Sequence, residues 1–174
     1  FLLKVVRRRK KHSNAPPLAS CDCLAAERSC EAKLRVAVYY GTQTGTSARF
    51  AGELEQDLRH KYGKHVHVRL IDLEQGTAER AEDMFTRGHE PLAVFLQSTY
   101  GDGEPTDSSL DFFNWLRDQA SDGRLPDLLQ RLKFCVFGLG NSSYEQFNAA
   151  GKLIDRSMKS LGATRLMDIH LGDD

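Results

Sequence analysis

Apolar residues in this chain arrive in short continuous runs separated by stretches of helical period. Residues 34–40, 92–96 (Leu92-Ala93-Val94-Phe95-Leu96) and 132–137 are runs of strand length with few polar interruptions. Such runs mark strands buried on both faces of a parallel sheet. Val66, Val68 and Leu70 instead alternate with His65, His67 and Arg69, which predicts a half-exposed strand near a sheet edge. Residues 165–171 predict a last strand. Between the runs, Phe50, Ala51, Leu54 and Leu58 fall on one helical face. Residues 110–116 predict a short helix carrying Phe112, Phe113 and Trp115. Residues 147–161 predict another, with Leu153, Ile154, Met158 and Leu161 facing inward. A further helix is expected over residues 78–85. Five strands alternating with helical segments predict an α/β three-layer sandwich with a parallel sheet.

Ligands in such sheets bind beyond the carboxyl ends of the strands, so the loops after the first, third and fourth strands should carry the chemistry. The first is Tyr40-Gly41-Thr42-Gln43-Thr44-Gly45-Thr46-Ser47. It leads from a strand directly into a helix, so hydroxyls and backbone N–H groups converge at the positive end of a helix dipole, an arrangement suited to phosphate. It has no Gly-Lys-Ser/Thr ending, which excludes a nucleoside-triphosphate P-loop, and it lacks the three-glycine spacing of a dinucleotide fingerprint. Neutral hydroxyls without a cation suit a monoester phosphate, as in a flavin or similar mononucleotide. The second loop, from Gln97 and Ser98 through Thr99-Tyr100-Gly101-Asp102-Gly103-Glu104-Pro105, and the third, Gly138-Leu139-Gly140-Asn141-Ser142-Ser143-Tyr144, each present a tyrosine among glycines. Two such rings could sandwich a flat heterocycle. Thr99 and Asn141 could hydrogen-bond its ring or sugar chain.

The charge balance adds a partner expectation. Lys+Arg and Asp+Glu are both 24, but residues 1–30 hold seven basic and two acidic residues, leaving 17 and 22 in the remainder. An acidic domain does not favour direct nucleic-acid binding and suits partners with positive patches. Phe1-Leu2-Leu3-Lys4-Val5-Val6 runs into Arg7-Arg8-Arg9-Lys10-Lys11. This reads either as the cytoplasmic end of a membrane anchor or as a basic tail. Residues 1–32 are expected to be a basic, membrane-proximal linker, and residues 33–174 the folded domain. Of the four cysteines, Cys21, Cys23 and Cys30 precede the domain and give no disulfide framework. Cys135 reads as a small core hydrophobe.

Taken in order, Tyr40 to Thr46, Thr99 to Asp107 and Phe137 to Asn148, with the ending Leu171-Gly172-Asp173-Asp174, resemble the FMN-binding domain of diflavin reductases, and most of all its cytochrome P-450 reductase branch. The resemblance implies a flavodoxin-like fold with a five-stranded parallel sheet in the order 2-1-3-4-5. It implies that Gln43, Thr44, Gly45, Thr46 and Ser47 hold the FMN phosphate, and that Tyr100 and Tyr144 stack on opposite faces of the isoalloxazine. Gly101 would offer its carbonyl to the flavin N5–H after one-electron reduction. Ser98, Gly103, Leu139, Gly140, Asn141, Phe147 and Asn148 would line the pocket, with Asp174 near the ring or ribityl edge. Gln146 stands where these reductases often have His, and Ser142-Ser143 replace a more usual Lys-Thr.

The resemblance also implies a larger electron-transfer chain. NADPH would reduce FAD in a separate reductase domain, and FMN here would pass the electrons singly to a haem protein such as a cytochrome P-450, cytochrome c or cytochrome b5. The expected location is the cytoplasmic face of a membrane, the endoplasmic reticulum. Asp102, Glu104, Asp107, Asp111, Asp173 and Asp174 would form an acidic rim for a basic acceptor. Two other readings share the motifs. One is the FMN domain of the wybutosine-synthesising radical-SAM enzyme, which would reduce an iron–sulfur cluster. The other is a flavodoxin-like scaffold that binds only partners.

Overall fold

The computed structural model describes residues 34–75, 92–122 and 128–173. The expected linker over residues 1–32, the expected helix over 78–85 and Asp174 lie outside the described residues. Among the described residues, no helix is long and apolar enough to cross a membrane.

Four strands match the apolar runs: β1 (Leu34–Gly41), β2 (Val66–Asp72), β3 (Leu92–Tyr100) and, after the two-residue β4 (Glu104–Pro105), β5 (Lys133–Gly140). They form a parallel path β2-β1-β3-β5. β4 turns back antiparallel on the end of β3, pairing Tyr100 with Glu104. The strand order reverses between the parallel neighbours β1 and β3, and this opens the crevice in which the loops meet. β2 is the edge strand, with Val66 and Val68 buried and Leu70 exposed.

The predicted last strand is two short ones, β6 (Thr164–Arg165) and β7 (His170–Asp173), both parallel to β5. Phe134 pairs with Arg165 and Phe137 with His170. Three steps along β5 therefore face five along the partner, and the two extra residues bulge out of the ladder. The intervening turn is tied back by Arg165, whose guanidinium reaches Asp155 Oδ2 at 2.9 Å and Asp168 Oδ1 at 3.2 Å. With β6 and β7 counted as one interrupted strand, the order is the expected 2-1-3-4-5.

Side chains alternate between two cores, as a doubly covered sheet requires. Val36, Val38, Val94 and Cys135 pack with Ala51, Leu54 and Leu58 of α1 (Thr46–Tyr62). Ala37, Tyr39, Phe95 and Phe134 pack with Phe112, Phe113 and Trp115 of α2 (Leu110–Asp122) and with Ile154 and Met158 of α3 (Ala149–Ser160). Tyr39, Phe95, Phe112 and Trp115 form a continuous aromatic column, with successive ring centroids 5.1, 6.0 and 6.2 Å apart. Cys135 sits in the first core, and burial pushes its thiol up to about 12.

Candidate functional site

Each of the three loops is shaped by a local requirement. α1 begins at Gly45, whose φ of 91° lies in the left-handed region. Gly45 N–H donates to Thr42 Oγ1 at 2.9 Å, closing the turn. No side chain caps the helix and its first turn holds no acid, which leaves its positive end available to an anion. Gln43 ties this loop to the second one. Its Nε2 donates to Asp107 Oδ2, and its Oε1 accepts from the Asp107 amide, both at 3.3 Å. Ser108 Oγ donates to Thr42 O at 3.2 Å.

Beneath these contacts Gln97 is fully buried. Its Nε2 donates to Ser98 O at 2.9 Å and Ser109 Oγ at 3.2 Å. Its carboxamide fills the space above Gly41 that any side chain there would take. At the end of β1, the Tyr40 phenol is held above its ordinary pKa, first by burial and then by the Asp72 carboxylate to which it hydrogen-bonds.

The second loop turns at Gly101 and Gly103, with φ of 50° and 99°, and Gly103 N–H donates to Tyr100 O at 3.2 Å. The third loop is braced from below by Asn148. This residue is buried, has φ of 56°, and donates from Nδ2 to Gly172 O at 2.9 Å. Gly138 and Gly140 lie against it so closely that a Cβ on either would come within 2.8 and 3.1 Å of its atoms. Asn141 Oδ1 accepts from Ser143 N–H at 2.8 Å, and Asp173 Oδ1 accepts from Ser142 N–H at 2.7 Å.

The three loops enclose one cleft of about 750 Å³. Gln43, Thr44, Thr46, Ser98, Thr99, Tyr100, Gly101, Leu139, Gly140, Asn141 and Tyr144, all expected at the site, line it together. Of the other expected residues that the structure describes, Ser47, Gly45, Gly103, Phe147 and Asn148 adjoin the cleft lining without being part of it. Ser47 is buried and bonds Ser98 Oγ at 2.6 Å, joining the start of α1 to the end of β3. Gly45 sets the helix start, and Gly103 leaves room for the Gln146 side chain. Phe147 is half-buried, with Lys152 Nζ bonded to its carbonyl at 2.6 Å. Sequence reasoning missed Arg49, Phe50, Phe137 and Gly172, which also line the cleft. Arg49 and Phe50 lie three and four residues beyond Thr46, on the same helix face. The site is therefore not built of neutral groups alone.

The family is decided by comparison with known proteins. Residues 38–174 match the Flavodoxin family. The chain belongs to the flavodoxin family. This flavodoxin domain is 37% identical over 166 residues to NADPH–cytochrome P450 reductase of Rattus norvegicus, covering 95% of this chain and 23% of that protein. It is 37% identical over 175 residues to the same-named protein of Homo sapiens, covering 95% and 24%. It thus spans about a quarter of the length of those relatives. Among solved structures it is similar to oxidised Flavodoxin 1 from Bacillus cereus, with TM-score 0.62, 18% identity and coverage of 80% of this chain and 86% of that one. It is also similar to a short-chain flavodoxin associated with a PDU bacterial microcompartment, with TM-score 0.62, 25% identity and coverage of 80% and 84%.

Membership implies FMN and oxidoreductase chemistry, and the residues present fit that group. Tyr100 and Tyr144 expose 53% and 65% of their surface at the cleft mouth, far more apolar ring than a closed surface leaves wet. Thr99 lines the cleft, and its Oγ1 is buried without a protein partner. The uncapped start of α1 offers amides to a phosphate.

Proposed function

We propose that this flavodoxin domain holds FMN between Tyr100 and Tyr144 and serves as the one-electron outlet of a reductase. Electrons would come from NADPH through FAD on a separate domain and pass to a haem protein of the cytochrome P-450, c or b5 type. The observation that carries this reading is the cleft itself. Two exposed tyrosines on opposing loops share it with the hydroxyl-rich start of α1. The similarity of nearly the whole chain to one quarter of the cytochrome P450 reductases supports the choice of electron source and acceptor. The basic cluster at residues 7–11 supports placing the domain at the cytoplasmic face of the endoplasmic reticulum.

Bound FMN supplies the redox chemistry; the protein supplies position and field. Thr44, Thr46 and the first amides of α1 orient the phosphate end. The two tyrosines fix the ring plane and shed water from its faces. Gly101, left-handed at φ 50°, turns the second loop and would present its backbone to the bound ring. Asp102 and Asp173 line the cleft, and Glu104, Asp107 and Asp111 are exposed on the elements that follow the second loop. Their field disfavours further negative charge in the cleft and steers a basic acceptor toward it.

The test is stepwise dithionite reduction of the FMN-loaded protein under argon, followed by mixing with a basic haem protein. The expected result is a long-wavelength absorbance band at half reduction, then haem reduction at a rate that falls as ionic strength rises. Direct passage to full reduction would count against the one-electron outlet, and a rate insensitive to salt would count against steering by the acidic rim.

A further inference from the structure

Among the described residues lining the cleft, Arg49 carries the one positive side chain. Its place in α1 breaks two local rules. A cation near a helix N-terminus opposes the macrodipole, and Arg at i with Glu at i+4 is the weaker order for a helical ion pair. The Arg49–Glu53 pair nevertheless forms at 2.7 Å, with the two side chains 60% and 56% exposed. The guanidinium also lies 4.3 Å over the Phe50 ring, which forms part of the same wall. The guanidinium is drawn along the helix toward Glu53, while Arg49 lines the cleft one turn beyond Thr46. An uncapped helix start, no acid in its first turn and an arginine on the same face make the α1 end of the cleft locally positive, while the acids of the lining, Asp102 and Asp173, stand on the second loop and on β7.

We propose that Arg49 is a binding residue for the phosphate of the flavin, selecting FMN over riboflavin, and that Glu53 competes with that phosphate for its guanidinium. The inference rests on the FMN reading and goes beyond it in naming a cation that the hydroxyl loop lacks. Its experiment is titration of FMN and of riboflavin, followed by flavin fluorescence at low and moderate salt, into the unaltered protein and into Arg49→Gln and Glu53→Gln.

A hydrogen bond between two charged groups should be worth about tenfold. Arg49→Gln is therefore expected to raise the FMN dissociation constant about tenfold, to leave riboflavin unchanged, and to flatten the salt dependence of FMN binding. Glu53→Gln is expected to tighten FMN about threefold. The opposite signs distinguish the inference from a structural role for the ion pair, which would shift both variants the same way. Equal loss of both flavins in Arg49→Gln, an unchanged FMN affinity, or weaker FMN binding in Glu53→Gln would overturn it. Binding of neither flavin by the unaltered protein would overturn the FMN reading and this inference with it.

Discussion

Thr46→Asp is expected to raise the FMN dissociation constant about 100-fold, while leaving riboflavin binding within about twofold and thermal stability unchanged or improved. The reasoning turns on one site answering to two opposite demands. An acid in the first turn of a helix complements the dipole and adds about 0.3–1 kcal/mol, and α1 has none there. The same carboxylate would face the phosphate across the cleft wall that Thr46 lines. Two like unit charges about 6 Å apart at an effective dielectric constant of about 20 repel by about 3 kcal/mol. A hundredfold loss corresponds to about 2.7 kcal/mol, which matches the unscreened repulsion, so the loss should shrink as salt is added. Parallel calorimetric melting and flavin titration would check both halves. Loss of both flavins together, or a fall in melting temperature, would show that Thr46 serves the fold and not the phosphate.

Gly151→Val is expected to cost about 3 kcal/mol of folding stability, seen in urea unfolding as a midpoint lower by about 1–2 M. α3 crosses β5 at this residue. A Cβ there would stand 2.9 Å from Gly138 Cα and 3.6 Å from Ile169 Cδ1. The nearest atom is backbone, so no rotamer change relieves the contact, and the helix must lift from the sheet. Because Asn148 at the head of α3 braces the third loop through Gly138, Gly140 and Gly172, flavin affinity should fall along with stability. Gly52 gives the control. It lies within α1 with open space where a Cβ would go, so Gly52→Ala should stabilise by about 0.5–1 kcal/mol. A Gly151→Val protein as stable as the unaltered one would mean that α3 does not pack on β5 as described.

Much of this architecture was legible because burial on both faces leaves few polar residues in a strand. Residues 92–96 and 132–137 announce themselves in that way, and the alternation at Val66, Val68 and Leu70 marks the edge. The last strand was misread as continuous. Arg165 through Leu171 mixes apolar and polar residues as a strand would, and nothing local records that β5 offers two residues too few to pair with it. That mismatch is a tertiary fact. The cleft was legible from its loops, since Tyr100 and Tyr144 among glycines serve no core.

The roles of individual residues were harder to read. Ser47 and Asn148 were expected at the site from the resemblance, and their side chains are buried and hold elements together beneath the cleft. Arg49 escaped because the loop was read as ending at Ser47, whereas helical spacing carries the wall one turn further. Gly172 joins the wall through strand pairing with Leu139, a contact across 33 residues of chain that no local motif encodes.

The central claim is that the three-loop cleft is built for FMN, and the most direct measurement is a fluorescence titration of FMN and riboflavin into the unaltered protein. The account predicts one FMN per chain, its fluorescence quenched by the stacked tyrosines, with FMN bound at least about tenfold more tightly than riboflavin through its phosphate. FMN that remains fluorescent and free, or equal affinity for the two flavins, would contradict it.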